Sequence, residues 1–332
     1  MAIQTKNEKP DGIGRLLKRS LHSMAPLWTL LILLIFFSLA SNTFFRMINF
    51  RNILIQVSTM AIMSTGITFV LLTGEIDLSV ADIGGLAGVV AAYATATLAL
   101  PQPLPIILAL VVTLLLGYFN GFGTARLGIP SFMITLAMMV IASGLSLYFT
   151  RGRVIFKIPE LVKTLGAGNI GPIPIIVIVA AIVLGLAHFV LQYTRFGRYV
   201  YMTGANREAA ELSGVNTRAI VTACLAISGF TAGLSGLINL GRLGSAQPSV
   251  PGDMLINAIA AVVLGGTSLA GGEGGIPNTI IGLLILGVLR NGLDQVSTDV
   301  YLKTFITGVI LVAALFLNIV ASRLRQTAEE EE

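Results

Sequence analysis

Charge is what this sequence has least of. Asp, Glu, Lys and Arg make up 11% of its 332 residues, against roughly 25% in soluble domains. With 55% of residues hydrophobic, too little charge remains to cover a soluble globule. Cysteine is down to one, Cys224, inside an apolar segment, which gives it a structural reading rather than a redox or metal-binding one. His22 and His188 are isolated in the sequence, so neither a metal cluster nor a His-based catalytic group assembles around them. None of the six lysines follows a glycine. That excludes the Gly-x-x-x-x-Gly-Lys-Ser/Thr loop, whose backbone amides and lysine cradle phosphate. The longest polar excursions, 151–172 and 195–218, leave no room for a sizeable globular domain.

What the chain has instead is apolar length. From 83 to 125 it carries no charge, and only the corner Pro101-Gln102-Pro103-Leu104-Pro105 interrupts it. A hydrocarbon core about 30 Å thick needs about 20 helical residues, so this run predicts two crossings joined by a prolyl turn. The uncharged segments are 25–45, 52–74, 83–100, 104–125, 127–150, 173–194, 219–241, 254–272, 274–289 and 304–322. They predict an all-α polytopic membrane protein of about ten transmembrane helices. The first span follows Arg15, Lys18 and Arg19 but exceeds the ~7–15 residues of a secretory signal core, so it reads as a retained anchor. Spans two to five and seven to ten form two four-helix halves, the arrangement of an inverted repeat. This divides the chain into a tail 1–24, a transmembrane domain 25–322 and an acidic tail 323–332. Ten crossings place both tails on one side. Assigning that side to the cytoplasm puts 12 of the 21 Lys and Arg there, a modest bias in the expected direction. Glycines at Gly84-x-x-x-Gly88, Gly117-x-x-x-Gly121 and Gly229-x-x-x-Gly233 read as faces where helices approach closely.

Three polar features interrupt this pattern. In loop 195–218, Asn206 suits an N-cap, Arg207 to Ser213 make about two helical turns, and Gly214 suits the position beyond them. A helix that short is stable only when docked. It is either a connector or a docking element for a soluble partner. Segment 74–85 places Glu75, Asp77 and Asp82 between spans two and three. A carboxylate at the bilayer centre costs ~2.5–3.5 kcal/mol on the insertion scale, so such groups face protein or water. Asp77 either caps the next helix from a turn or is held by backbone amides in a segment beside the pathway. The glycine-rich stretch 265–275 lies between two apolar spans rather than between a strand and a helix. It predicts a tight turn with close packing, not a dinucleotide loop.

Four stretches, in order over roughly 50–315, resemble ABC-importer permeases of the monosaccharide (ribose-type) branch. They are Gly74-Glu75-Ile76-Asp77-Leu78-Ser79-Val80; Asn120-Gly121 with Ile129-Pro130-Ser131-Phe132 and Thr135-Leu136; Gly204-Ala205-Asn206-Arg207-Glu208-Ala209-Ala210; and Ala258-Ile259-Ala260-Ala261 through Gly274, followed by Asn291-Gly292-Leu293. The resemblance implies a pore subunit that moves a small polar solute, a monosaccharide or related polyol, by alternating access. It implies an ABC ATPase partner (two copies or a fused pair), a periplasmic solute-binding protein and a second permease chain, identical or paralogous. It places the chain in a bacterial inner membrane with both termini cytoplasmic, in contact with lipid and not with nucleic acid. No cofactor, metal or catalytic residue is implied. Loop 195–218 becomes the ATPase-coupling loop, with contact carried by Arg198, Asn206, Glu208, Ala209 and Gly214. Pathway or packing candidates are Asp77, Asn120, Asn257, Asn291 and Lys303.

The family pattern also breaks. Its Glu-Leu-Asp is replaced by Leu255-Ile256-Asn257, its last-span glutamine by Lys303, and two of its glycines by Glu75 and Ala81. Two acids lost and a lysine gained toward the outer side suggest a substrate or binding-protein surface unlike that of typical ribose systems. The competing readings are a branched-chain amino-acid ABC permease and an ion-coupled secondary transporter. The second needs intramembrane ion ligands that the spans nearly lack.

Overall fold

The computed structural model describes residues 25–296, 299, 301–310 and 312. The expected tails, 1–24 and 323–332, and most of the tenth expected span lie outside the described residues. In chain order the first helices are α1 (Ala25–Ala40), α2 (Met47–Leu72), α3 (Val80–Ala96), α4 (Leu104–Leu127), α5 (Ser131–Thr150) and α6 (Glu160–Ala167). A small hairpin, β1 (Asn169–Ile170) with β2 (Ile173–Pro174), leads into α7 (Ile175–Tyr193). Then come α8 (Arg195–Ala205), α9 (Arg207–Leu212), α10 (Thr217–Leu243), α11 (Asp253–Leu264) and α12 (Ile276–Val296), and α13 (Tyr301–Ile310).

Six of these, α2, α4, α5, α7, α10 and α12, are long and apolar enough to cross a membrane. Among the described residues, six of the ten expected crossings therefore reach full length, while α1, α3, α11 and the described part of α13 are apolar but shorter. Two of the shortfalls have a local cause. The chain leaves helical geometry after Ala96, short of the expected end at 100, with Ala99 at a positive φ. It leaves it again after Leu264, where positive φ angles at Gly266, Gly271, Gly272, Gly274 and Gly275 form an irregular turn. The eighth expected span, 254–272, thus ends early.

Burial sorts the long helices into two shells. Over their most apolar stretches α2, α10 and α12 are 61–72% buried, whereas α4, α5 and α7 are only 22–33% buried. The first three form the centre and the others its exposed flank. Helix α10 is the hub and packs against α2, α3, α4 and α6. Small residues allow this. A Cβ on Gly117 would lie 2.4 Å from the Leu225 carbonyl oxygen, and one on Gly236 would lie 1.8 Å from that of Gly84. Backbone therefore rests directly on backbone, and the Gly-x-x-x-Gly faces expected from sequence lie at these contacts. Buried hydroxyls add links between helices: Ser235 Oγ donates to the Thr59 carbonyl at 2.8 Å, and Thr68 and Thr279 share a 2.7 Å bond.

The bundle has two distinct ends. One gathers the α2 C-terminus, the start of α5, helices α8 and α9, and the glycine-rich turn. The other gathers α6, the hairpin and residues 244–252, where Ile155 and Ala246 exchange backbone hydrogen bonds of 3.1 and 2.9 Å. A long buried helix followed by a short one opens each half, α2–α3 and α10–α11, and the two pairs run in opposite directions.

Candidate functional site

Loop 195–218 holds two helices rather than the single short one expected. Thr194 caps α8, its Oγ1 accepting from Gly197 N–H at 3.2 Å. Asn206 Oδ1 caps α9 by accepting from Ala209 N–H at 3.0 Å. Gly214, at φ +82°, supplies the left-handed turn that ends α9. Both helices are seated on the bundle. Val200, Thr203 and Ala210 are buried, and a Cβ on Gly204 would lie 1.9 Å from the Leu72 carbonyl oxygen and 2.6 Å from Gly272 N. The same Leu72 carbonyl accepts from Gly272 N–H at 3.0 Å. Tyr201 donates to the Gly274 carbonyl at 2.9 Å and accepts from Gln192 at 3.3 Å. Burial pushes its phenol pKa up and keeps it a donor. On the outer surface Arg198, Asn206, Glu208 and Ala209 are exposed, together with Leu212, which is 86% exposed.

The turn between α2 and α3 lies directly beneath. Arg207 of α9 reaches Glu75 at 3.1 Å. Asp77, 2% exposed, accepts at Oδ1 from the Ser79 amide (2.9 Å) and hydroxyl (2.6 Å), and at Oδ2 from Ser228 of α10 (2.7 Å). Asn120 of α4 donates to Ser79 Oγ at 3.0 Å. The hydroxyls of Ser131 and Thr135 on α5 accept from the Ile76 and Leu78 amides, both at 3.1 Å. Asp77 therefore anchors the turn at the start of α3, with one backbone amide and two hydroxyls instead of amides alone. Non-helical backbone inside a membrane bundle is tolerable only when protein satisfies it; here α5 and Asp77 take the turn's amides, while α4 and α10 hold the side chains of Ser79 and Asp77.

At the opposite end lies a cavity of about 1000 Å³, walled by α2, α3, α10, α11, α12 and α13. Ala81, Gly84, Gly85 and Gly88 of α3 form one wall, immediately after the Asp77 turn. Asn257 and Lys303 line the cavity; Asp77, Asn120 and Asn291 do not. Asp253 pairs with Arg290 and also accepts from Asn257 Nδ2 at 3.0 Å. Lys303 donates to Asp294 at 2.8 Å. Asn291 has a packing place instead: it accepts from Gln295, whose Oε1 accepts from Ser41 and Thr43 at the α1–α2 turn. Among the described residues no three His, Cys, Asp or Glu side chains gather as a metal site.

Sequence reasoning missed the Glu75–Arg207 pair, Gly204 as a contact point, and Arg242, Asp253, Arg290 and Asp294 as cavity residues. Glu75 stood out as an acid in place of glycine, but its partner is 132 positions away. The cavity charges sit at span ends, where they read as topology signals.

A family model described as "Branched-chain amino acid transport system / permease component" matches residues 49–315. The ribose import permease protein RbsC of Haemophilus influenzae is 38% identical over 324 residues, covering 96% of this chain and 99% of its own length. RbsC of Escherichia coli is 37% identical over 293 residues, covering 87% of this chain and 91% of its own. The xylose transport system permease protein XylH of Escherichia coli is 30% identical over 338 residues, covering 83% and 86%.

Proposed function

We propose that this chain, which belongs to the family described as the permease component of the branched-chain amino acid transport system, is the membrane subunit of an ATP-driven importer of a monosaccharide or related polyol. The family description names amino acids. The ribose and xylose permeases, similar over at least 83% of the chain, favour a sugar. ATP hydrolysis falls to a separate ABC ATPase, two copies or a fused pair. A periplasmic solute-binding protein delivers solute at the cavity end, and a second permease chain completes the pore. The α8–α9 end then faces the cytoplasm of a bacterial inner membrane, with both termini on the same side.

One observation carries the reading: the exposed pair α8–α9 sits on the turn from which the cavity wall α3 springs. Gly204 abuts the Leu72 carbonyl, Arg207 pairs with Glu75, and Asp77 fixes the same turn to α10. ATPase closure, gripping Arg198, Asn206, Glu208, Ala209 and the Gly214 turn, would displace α8–α9. The turn transmits this to α3, which closes the cavity at its own end and opens a path at the other.

The test is reconstitution in proteoliposomes with the ATPase and the binding protein. Labelled pentoses, hexoses, their acids and polyols are offered against branched-chain amino acids. ATP-dependent accumulation of a sugar-class solute is expected. Uptake that persists without the ATPase, or accumulation of leucine or valine alone, would refute the assignment.

A further inference from the structure

Building on the sugar-importer reading, we propose that the solute traversing the cavity is an anionic polyhydroxy compound, a sugar acid bearing a carboxylate, rather than a neutral sugar. Five charged side chains line the cavity: Arg242, Arg290, Lys303, Asp253 and Asp294. Both carboxylates are engaged, Asp253 by Arg290 and Asn257, and Asp294 by Lys303. Three cations therefore face two acids. Arg242, an exposed residue in the last turn of α10, has no ion pair or side-chain hydrogen bond among the described residues.

An unengaged guanidinium on a cavity wall is specific chemistry. Its planar fork of N–H groups matches a carboxylate in two parallel bonds, and a net positive hollow concentrates anions. A neutral sugar gains from neither. The rest of the lining suits the polyhydroxy part of such a ligand: Gln56 and Asn239 offer amides that both donate and accept, and Asn257, its Nδ2 committed to Asp253, offers its oxygen. Thr59 lines the same space with a buried hydroxyl that has no hydrogen-bond partner among the described residues. A volume of about 1000 Å³ admits a monosaccharide together with water.

The experiment is uptake by the complete transporter in cells. Labelled gluconate and glucuronate are compared with glucose, ribose and xylose in wild type, Arg242→Gln, Arg242→Lys and Arg153→Gln, an exposed cation outside the cavity. Quantitative immunoblots of the membrane correct for abundance. Acid uptake is expected to exceed neutral-sugar uptake at least ten-fold. It should fall at least ten-fold in Arg242→Gln, recover in part in Arg242→Lys and hold in Arg153→Gln. Wild-type neutral-sugar uptake in Arg242→Gln, with the acids excluded throughout, overturns the proposal and leaves the sugar-importer reading standing. Equal loss for every solute in Arg242→Gln, together with lost stimulation of the ATPase by the loaded binding protein, assigns Arg242 to protein docking and also overturns it. Uptake confined to branched-chain amino acids defeats both readings.

Discussion

Replacing Gly204 by alanine should uncouple ATP hydrolysis from transport. The new Cβ would lie 1.9 Å from the Leu72 carbonyl oxygen and 2.6 Å from Gly272 N, where real Cβ atoms essentially never approach within 3.0 Å. Both obstacles are backbone, so neither can rotate aside. The end of α8 must withdraw from the end of α2 by about 1 Å, opening the very contact through which motion would pass. Overpacking of this kind costs about 1–3 kcal/mol, and each 1.4 kcal/mol is a factor of ten. The docked arrangement should therefore be depleted by roughly 5–150-fold. In proteoliposomes containing the ATPase and binding protein, uptake and ATP hydrolysis are measured on the same preparation. Uptake is expected to fall at least about five-fold further than hydrolysis. Gly185→Ala provides the control: that helical glycine has nothing within 4 Å, so uptake should hold. If Gly204→Ala transports with wild-type coupling while folding normally, the α2 C-terminus is not the point of transmission.

In the Arg207–Glu75 pair the arginine side chain is 47% exposed but the glutamate only 13%, so reversing Glu75 alone should cost more than the about 0–1 kcal/mol of a surface pair. Glu75→Arg is therefore expected to lower the unfolding midpoint and slow uptake, and the exchange Glu75→Arg with Arg207→Glu to restore both in part; an exchange that leaves uptake slow would deny the pair a role. Asp77→Ala strands the Ser79 amide and the hydroxyls of Ser79 and Ser228. At about 1–3 kcal/mol per stranded buried group, the unfolding midpoint in detergent should drop sharply, with a smaller drop for Asp77→Asn. Gly236→Ala places a Cβ 1.8 Å from the Gly84 carbonyl oxygen and should destabilise by about 1–3 kcal/mol. Gly144→Ala, with open space around it, should not; equal melting of the two variants would contradict direct backbone contact at the hub.

Features that depend on local chemistry were legible in the sequence. The apolar runs mark the long helices because lipid demands length. Asn206 and Gly214 mark the ends of α9 because capping is decided within a few residues, and glycine pairs mark faces because only small residues permit such approach. Features that depend on distant partners were not. Residues Arg195 to Ala205 carry no apolar run, and α8 is held by buried Val200 and Thr203 and by backbone contact at Gly204, none of which composition announces. The apolar run 254–272 counts as continuous, yet Gly266, Gly271 and Gly272 turn at φ angles no helix uses. The cavity is the extreme case. Arg242, Asp253, Arg290, Asp294 and Lys303 come from four separate helices, and they meet only in three dimensions.

The two polar regions differ in a way that bears on how force would travel. At the α2–α3 turn the links are mutual: Asp77 takes three hydrogen bonds, and Ser131 and Thr135 take the amides of Ile76 and Leu78. Bonds in such a low-dielectric setting are stiff, because breaking one strands a buried group. A turn held from α4, α5 and α10 cannot absorb a push by bending within residues 76–79. Just before it Gly74, whose φ of +77° only glycine adopts without strain, is tied back to α2 by its amide on the Leu71 carbonyl at 2.9 Å and by the Glu75 amide on the Val70 carbonyl at 3.3 Å. Force delivered at Leu72, Gly204 or Glu75 would then shift the turn and α3 as one body. The glycines of α3 at positions 84, 85 and 88, which face the cavity, would move with it. A soft, unpaired turn in the same place would dissipate that displacement before it reached the cavity wall.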